Sequence, residues 1–277
     1  MKAGLKRRAP KPVLKSVDLE ESVKSGAVQS VDRALLLLEA LGEDEEGYRL
    51  TDLAIRTGLS PSTAHRLLTT LEKRRFVAFD QSDNMWHVGR QAFAIGAAFV
   101  RRRNFVAPAL PFLRSLRDLT HETANLGIVD DGEVIVLTQV ESREIMRAIT
   151  RVGGRAPMAA SGIGKAILAT YADEDVVAVI QRHGMKRLTP KSIARAGELR
   201  DALERVRRDG YAVDDEEFLI GLRCVAAVVY NDQGEALAGV SVSGLASRVP
   251  RERIPELGRL VRETAREMTL ALGGRLP

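Results

Sequence analysis

The sequence predicts an α+β chain of two domains, a small helical one ending in a β-hairpin and a larger one built on a mainly antiparallel sheet. Three observations predict it. At 277 residues the chain is long for one domain and comfortable for two. Residues 51–90, TDLAIRTGLSPSTAHRLLTTLEKRRFVAFDQSDNMWHVGR, read as helix, tight turn, helix and hairpin. Beyond residue 107 the strands come mostly as hairpins around DDG and NDQG, which favours an antiparallel sheet with helices on its faces over a doubly wound parallel fold.

Residues 1–26, rich in Lys, Pro and Ser with few large apolar groups, read as a disordered basic tail. From Ala27, AVQSVDRALLLLEALG places Val28, Val31, Leu35, Leu38 and Leu41 on one helical face. Thr51 is an N-cap candidate for the next helix, Leu53 and Ala54 begin its apolar stripe, and Gly58 can take the left-handed conformation that ends it. Ser60 caps a third helix whose first position is Pro61, where a missing N–H costs nothing. Ala64, Leu67, Leu68 and Leu71 recur there at helical spacing and form the buried face. The opposite face carries Ser62, Thr63, His65, Arg66 and Thr69. Together with Ser60, these short hydroxyls and cations suit base edges and phosphates met from a helix in a major groove. Phe76–Phe79 and Met85–Val88 flank the turn-rich DQSDN as the strands of a wing. Residues 27–89 are therefore read as a winged helix-turn-helix whose partner is double-stranded DNA.

Residues 90–106, RQAFAIGAAFVRRRNFV, form a linker-helix pattern whose Phe93, Ile95 and Phe99 are too apolar for a free linker and suit a dimer surface. Residues 107–277 form the second domain. A helix is expected at about 109–121, with Pro108 and Pro111 punctuating the linker's far side. Strands follow at ANLGIVD and EVIVLTQV around Asp131-Gly132, with a third near IMRAITRV. Helices at about 161–171, 173–183 and 197–209 precede strands near YAVDD, CVAAVVY and ALAGVSVSG. An amphipathic helix at about 250–272 closes the chain.

Composition removes other classes. Hydrophobic residues make up 45% and charged residues 29%, and no apolar run approaches the roughly 20 residues needed to span a bilayer. A membrane location is not expected. The basic start MKAGLKRRAPKPVLK has no apolar signal segment behind it, so a cytoplasmic location is expected. The single cysteine, Cys224, excludes an intrachain disulfide and a cysteine-based zinc cluster, and the four histidines show no paired metal spacing. Neither a metal nor a cofactor is expected. The net charge of +5 suits a nucleic-acid partner, but residues 27–106 hold 11 Lys and Arg against 10 Asp and Glu. Any DNA attraction must therefore be local, for instance at Lys73, Arg74 and Arg75 or at Arg101, Arg102 and Arg103.

GLSPSTAHRLLTTLE, GRAPMAASGIGKAILA and GYAVDDEEFLIGLRCVAAVVYNDQGEALAGVSVSG, in this order and spacing, resemble the IclR family of bacterial transcriptional regulators, over about residues 27–272. The resemblance implies a winged helix-turn-helix, a linker helix and a GAF-like effector domain, assembled as homodimers or homotetramers on an operator and controlled by a small metabolite. In members sensing glyoxylate or related oxo acids it implies a pocket at Ser161, Gly162, Asp214, Leu222, Cys224, Ser241 and Ser243. By the same resemblance Ile145, Ala148 and Ala156 supply apolar wall. Other members bind aromatic acids, which is the alternative effector class.

The residue chemistry agrees with that transfer. Ser161, Gly162 and Ile163 open a helix, whose N–H groups suit a carboxylate. Ser241 and Ser243 are two apart on a strand and share a face. Asp214 can take a hydrogen bond from a hydroxyl or hydrated aldehyde, and Cys224 offers a small, soft wall. An enzyme is the competing class. Gly162-Ile163-Gly164-Lys165 resembles part of a phosphate loop, but the motif's first glycine falls at Ala159 and Ala166 follows the lysine. A Cys224 triad with His121 or His183 lacks an adjacent histidine or helix N-terminus to lower the thiol pKa.

Overall fold

A computed structural model describes residues 28–44, 46–101, 104–145 and 151–277, so the basic tail, Arg102, Arg103 and Ala148 lie outside the described residues. The chain divides into two compact units, residues 1–102 and 103–277.

The first unit runs α1 (Gln29–Gly42), α2 (Leu50–Thr57), α3 (Pro61–Lys73), β1 (Val77–Asp80), β2 (Met85–Val88) and α4 (Arg90–Arg101). Gly58 ends α2 at φ +66, and its N–H returns to the carbonyls of Ala54 and Ile55. Ser60 then caps α3 by accepting from the Thr63 N–H at 3.2 Å, with Pro61 in the first turn. Such a cap is worth about 1 kcal/mol. The helices close on Leu37, Leu41, Leu53, Ala64 and Leu68, and the antiparallel wing adds Val77 and Trp86.

Two expectations for this unit need correction. Thr51 does not cap α2: Arg49 is the N-cap and makes no side-chain cap bond. The paired hydrogen bonds between Tyr48 and Trp86 fix the chain just upstream, so the helix starts at Leu50. In α1 the inward face is Leu37, Ala40 and Leu41, with Leu38 packed beside them, while Val28, Val31 and Leu35 are exposed. The run of four leucines supplies both faces, and only the docking against α2 and α3 selects between them.

The second unit contains α5 (Val106–Thr120), β3 (Thr123–Asp130), β4 (Glu133–Val140), β5 (Arg155–Pro157), α6 (Gly162–Leu168), α7 (Asp173–His183), α8 (Ala196–Asp209), β6 (Ala212–Asp215), β7 (Leu222–Tyr230), β8 (Ala236–Leu245) and α9 (Ile254–Ala271). Its strands form a six-stranded antiparallel sheet in the order β5-β4-β3-β8-β7-β6. The fold class is the expected α+β, GAF-like arrangement. Asp131 and Gly132 turn the β3–β4 hairpin with φ of +46 and +75, as a two-residue Asp-Gly turn requires.

Strand alternation divides the sheet chemically. Ala238, Val240 and Val242 of β8 and Val225, Ala227 and Val229 of β7 are buried on one face, against α5 and α9. Gly239, Ser241 and Ser243 point to the other face, together with Cys224 and Ala226. That face is covered by α6, whose Ile163 lies over Gly239, and by α8 through Leu199, Leu203 and Val206.

One boundary departs from expectation, and one expected strand falls mostly outside the described residues. The helix α5 begins at Val106 and takes in both Pro108 and Pro111; Pro108 sits in the first turn, where no backbone N–H is required. The third strand is β5 at Arg155–Pro157, whereas most of IMRAITRV lies outside the described residues and Val152 is in a turn.

Candidate functional site

Two surfaces carry the chemistry anticipated from the sequence. In the first unit, Ser60, Ser62, His65 and Arg66 are exposed and Thr63 and Thr69 half-buried, opposite the buried Ala64 and Leu68 of α3. The three N-terminal hydroxyls cluster, with Ser60 Oγ 3.1 Å from Ser62 Oγ and 2.8 Å from Thr63 Oγ1. The Thr69 hydroxyl donates back to the His65 carbonyl at 2.9 Å. Lys73, Arg74 and Arg75 continue the cationic character at the end of the helix and are exposed. The wing turn is acidic by contrast. Asp80, Asp83 and His87 there bring potential ligand atoms within 4.8 Å of one another. Both carboxylates already hold the turn: Asp80 accepts from Ser82, and Asp83 accepts from the Met85 N–H at 2.9 Å.

In the second unit, strand register assembles a polar face from distant segments. Thr123, Ser243, Cys224 and Asp214 stand in one row across β3, β8, β7 and β6. Asn125 and Ser241 occupy the next row on the same face. All six are buried. The start of α6 closes over them: a Cβ on Gly162 would lie 3.0 Å from Cys224 Sγ and 3.3 Å from Ala226 Cβ. A side chain there would have to push Cys224 or Ala226 aside by a few tenths of an ångström. Ser161 Oγ accepts from the Gly164 N–H at 2.9 Å, so that hydroxyl caps the helix through one acceptor site and keeps its proton to donate.

Burial governs the ionisation here. Asp214 Oδ1 accepts from the Glu217 N–H at 2.7 Å and the Phe218 N–H at 3.3 Å, which folds the loop after β6. Although these bonds and nearby Lys165 favour the carboxylate, desolvation outweighs them and pushes the Asp214 carboxyl up to about 7. Burial, with Asp214 alongside, likewise pushes the Cys224 thiol up to about 11, opposed by Ser243 and Ser241. A neutral, enclosed thiol of this kind is a wall and not a nucleophile. Lys165 forms a buried ion pair with Glu217. Thr189 and Ser192 hold the same loop by donating to the Glu216 carbonyl at 2.8 Å and the Glu217 carbonyl at 2.7 Å.

The expected pocket residues therefore divide. Ser161, Gly162, Asp214, Cys224, Ser241 and Ser243 come together, with half-buried Leu222 two residues along β7 from Cys224. Ile163 serves as a packing residue against Gly239 and Gly127. Ile145 is not brought to this face: it is 97% exposed, at the edge of the segment 146–150 that lies outside the described residues. Ala156 is half-buried on β5, at the sheet edge opposite to Asp214. Sequence reasoning missed Asn125, Lys165 and Glu217. ETANLG gives no local sign that Asn125 faces serines more than a hundred residues away.

Comparison with known proteins covers both units. Residues 30–81 match the IclR helix-turn-helix domain, and residues 97–270 match the family described as bacterial transcriptional regulator IclR C-terminal. The acetate operon repressor of Salmonella typhimurium is 41% identical over 252 residues, 90% of this chain and 92% of that protein. The HTH-type transcriptional repressor AllR of Escherichia coli is 35% identical over 253 residues, 91% of this chain and 93% of its own length. Among solved structures, Thermotoga maritima IclR aligns with a TM-score of 0.73 at 28% identity, covering 88% of this chain and 99% of its own.

Proposed function

The chain belongs to the IclR family of bacterial transcriptional regulators, and from that premise we propose that a small carboxylate, with glyoxylate the leading candidate, binds on the polar face of the second unit and changes the protein's affinity for its operator. The protein is a DNA-binding transcriptional regulator and not an enzyme.

The effector reading is carried by one observation: Asp214, Cys224, Ser241 and Ser243 converge on one buried face beneath the start of α6. A carboxylate there meets two hydroxyls and the Gly162 backbone, and it meets Asp214 in a form that is largely protonated below about pH 7 and able to donate. Small size is favoured because Ile163 fills the space over Gly239 and Ile145 is exposed, so that among the described residues little apolar wall is offered to an aromatic ring. The Salmonella relative's name, acetate operon repressor, also supports a small acid.

The DNA reading rests on the exposed face of α3 from Ser60 to Thr69, which enters the major groove with Arg66 toward the bases. Exposed Val28 at the N-cap of α1 and Val31 and Leu35 within it, with Phe93 and Ile95 in α4, support assembly with a second copy as a homodimer or homotetramer. No helix among the described residues is long and apolar enough to cross a membrane, and the cytoplasm is the proposed location.

Isothermal titration with glyoxylate, pyruvate and 4-hydroxybenzoate tests the effector reading. Heat is expected from the oxo acids, with loss of about ten-fold in affinity for Ser241→Ala. Heat from the aromatic acid alone would move the assignment to the alternative class.

A further inference from the structure

Asn125 is 2% exposed on β3, opposite Ser241 in the strand register. Its Nδ2 donates to Ser243 Oγ at 3.1 Å, with longer contacts of 3.4 Å to Ser241 Oγ and to the Thr123 carbonyl. Its Oδ1 is enclosed and has no hydrogen-bond partner among the described residues. The residue beside it across the register on β4, Gln139, also holds an enclosed and unpartnered carbonyl oxygen.

These contacts fix a polarity. A serine hydroxyl has one proton and two acceptor sites. Where the Asn125 amide fills acceptor sites on both serines, their protons remain to be donated. Beside them Cys224 is a neutral thiol and a weak acceptor, so ligand oxygens are the stronger takers. The orphan Oδ1 points to the complementary requirement. Buried acceptors are almost always paired, and one left empty is costly. A ligand that brings its own O–H or N–H removes that cost, whereas a bare carboxylate does not.

We infer that Asn125 determines effector specificity: it commits Ser241 and Ser243 to donate to the carboxylate, and its Oδ1 accepts from a donor carried next to that carboxylate. The effector class is then a small acid with an adjacent hydroxyl, either a 2-hydroxy acid or the hydrate of a 2-oxo acid. This rests on the effector reading above and narrows it.

The test is isothermal titration of the full-length protein with acetate, glycolate and glyoxylate. Acetate and glycolate differ by one hydroxyl, and glyoxylate is hydrated in water. Glycolate and glyoxylate should each bind about ten-fold or more tighter than acetate. Asn125→Ala should remove the preference for glycolate over acetate. Asn125→Asp, which replaces the donor with a second acceptor and adds charge, should lose carboxylate binding about ten-fold or more, with thermal unfolding reporting that each variant folds. Equal affinity of the parent protein for acetate and glycolate overturns the role of Asn125 and needs no variant. A folded Asn125→Ala that keeps the preference overturns it too, and in both cases the effector site itself stands. Absence of heat with all three acids overturns the site and the role together.

Discussion

Ile163 of α6 lies directly over Gly239 of β8, so closely that a Cβ at position 239 would fall 2.5 Å from Ile163 Cγ2 and 3.2 Å from Ile163 Cβ. The contact seats the start of α6 on the sheet, and the same seating brings Gly162 against Cys224. A packing decision thus sets the height of the ceiling above the polar face. Gly239→Ala should lower stability by about 1–3 kcal/mol, as overpacking of a buried contact does, and should weaken effector binding because α6 is lifted. Denaturant unfolding and titration on the same variant check both; an unchanged midpoint would mean that α6 is not held by this contact.

Asp214 gives the site a pH dependence whose sign is fixed by burial. Its folded-state value is raised from 3.8 to about 7, so the stability associated with the neutral carboxyl is complete below about pH 4 and is lost as pH rises through about 7. The difference is on the order of a few kcal/mol. Asp214→Asn keeps an oxygen for the Glu217 N–H but cannot ionise, and its stability should vary less between those limits. Carboxylate affinity of the parent, by contrast, should hold at lower pH and fall only as pH rises through about 7, where Asp214 of the folded protein ionises and begins to repel the ligand. Urea unfolding across pH would expose the error if both proteins changed in parallel.

On the DNA side, Arg66 is exposed at the middle of α3 and contributes nothing to its buried stripe. Arg66→Ala should leave thermal stability unchanged and reduce discrimination between operator and random DNA by about 1–3 kcal/mol. Removing a cation at Lys73 should instead weaken both DNAs alike and flatten the salt dependence. Competition gel shifts separate the two behaviours.

Assembly is tested at the exposed apolar residues of α1 and α4. Light scattering at micromolar concentration should give a dimer or tetramer, and Leu35→Asp with Phe93→Asp should shift it toward monomer. A parent protein that is already monomeric, with and without DNA, would contradict the proposed assembly.

Much of the fold was legible because local chemistry forces it. Gly58 admits the left-handed turn, Ser60-Pro61 starts a helix, and Asp131-Gly132 turns a hairpin wherever they occur between apolar runs. The inward face of α1 was not legible, since four consecutive leucines satisfy either face until α2 and α3 dock. The site was legible where alternation acts within one strand, as for Ser241 and Ser243, or where the resemblance supplied residues, as for Asp214 and Cys224. Asn125 escaped because its meaning lies in the register between β3 and β8, 118 residues from Ser243. The Lys165–Glu217 pair escaped for the same reason, since nothing local in GIGKAIL points to a glutamate 52 residues away.

The central claim is that a small carboxylate held by the polar face alters DNA binding, and fluorescence anisotropy measures that coupling directly. A labelled duplex selected by the protein from a random library would be titrated with the parent and with Ser241→Ala, each with and without saturating glyoxylate. A shift of about five-fold or more in operator affinity is expected for the parent, within the usual range of effector coupling, and little or none for Ser241→Ala. An operator affinity that glyoxylate leaves unchanged in the parent, or changes equally in the variant, would contradict the account.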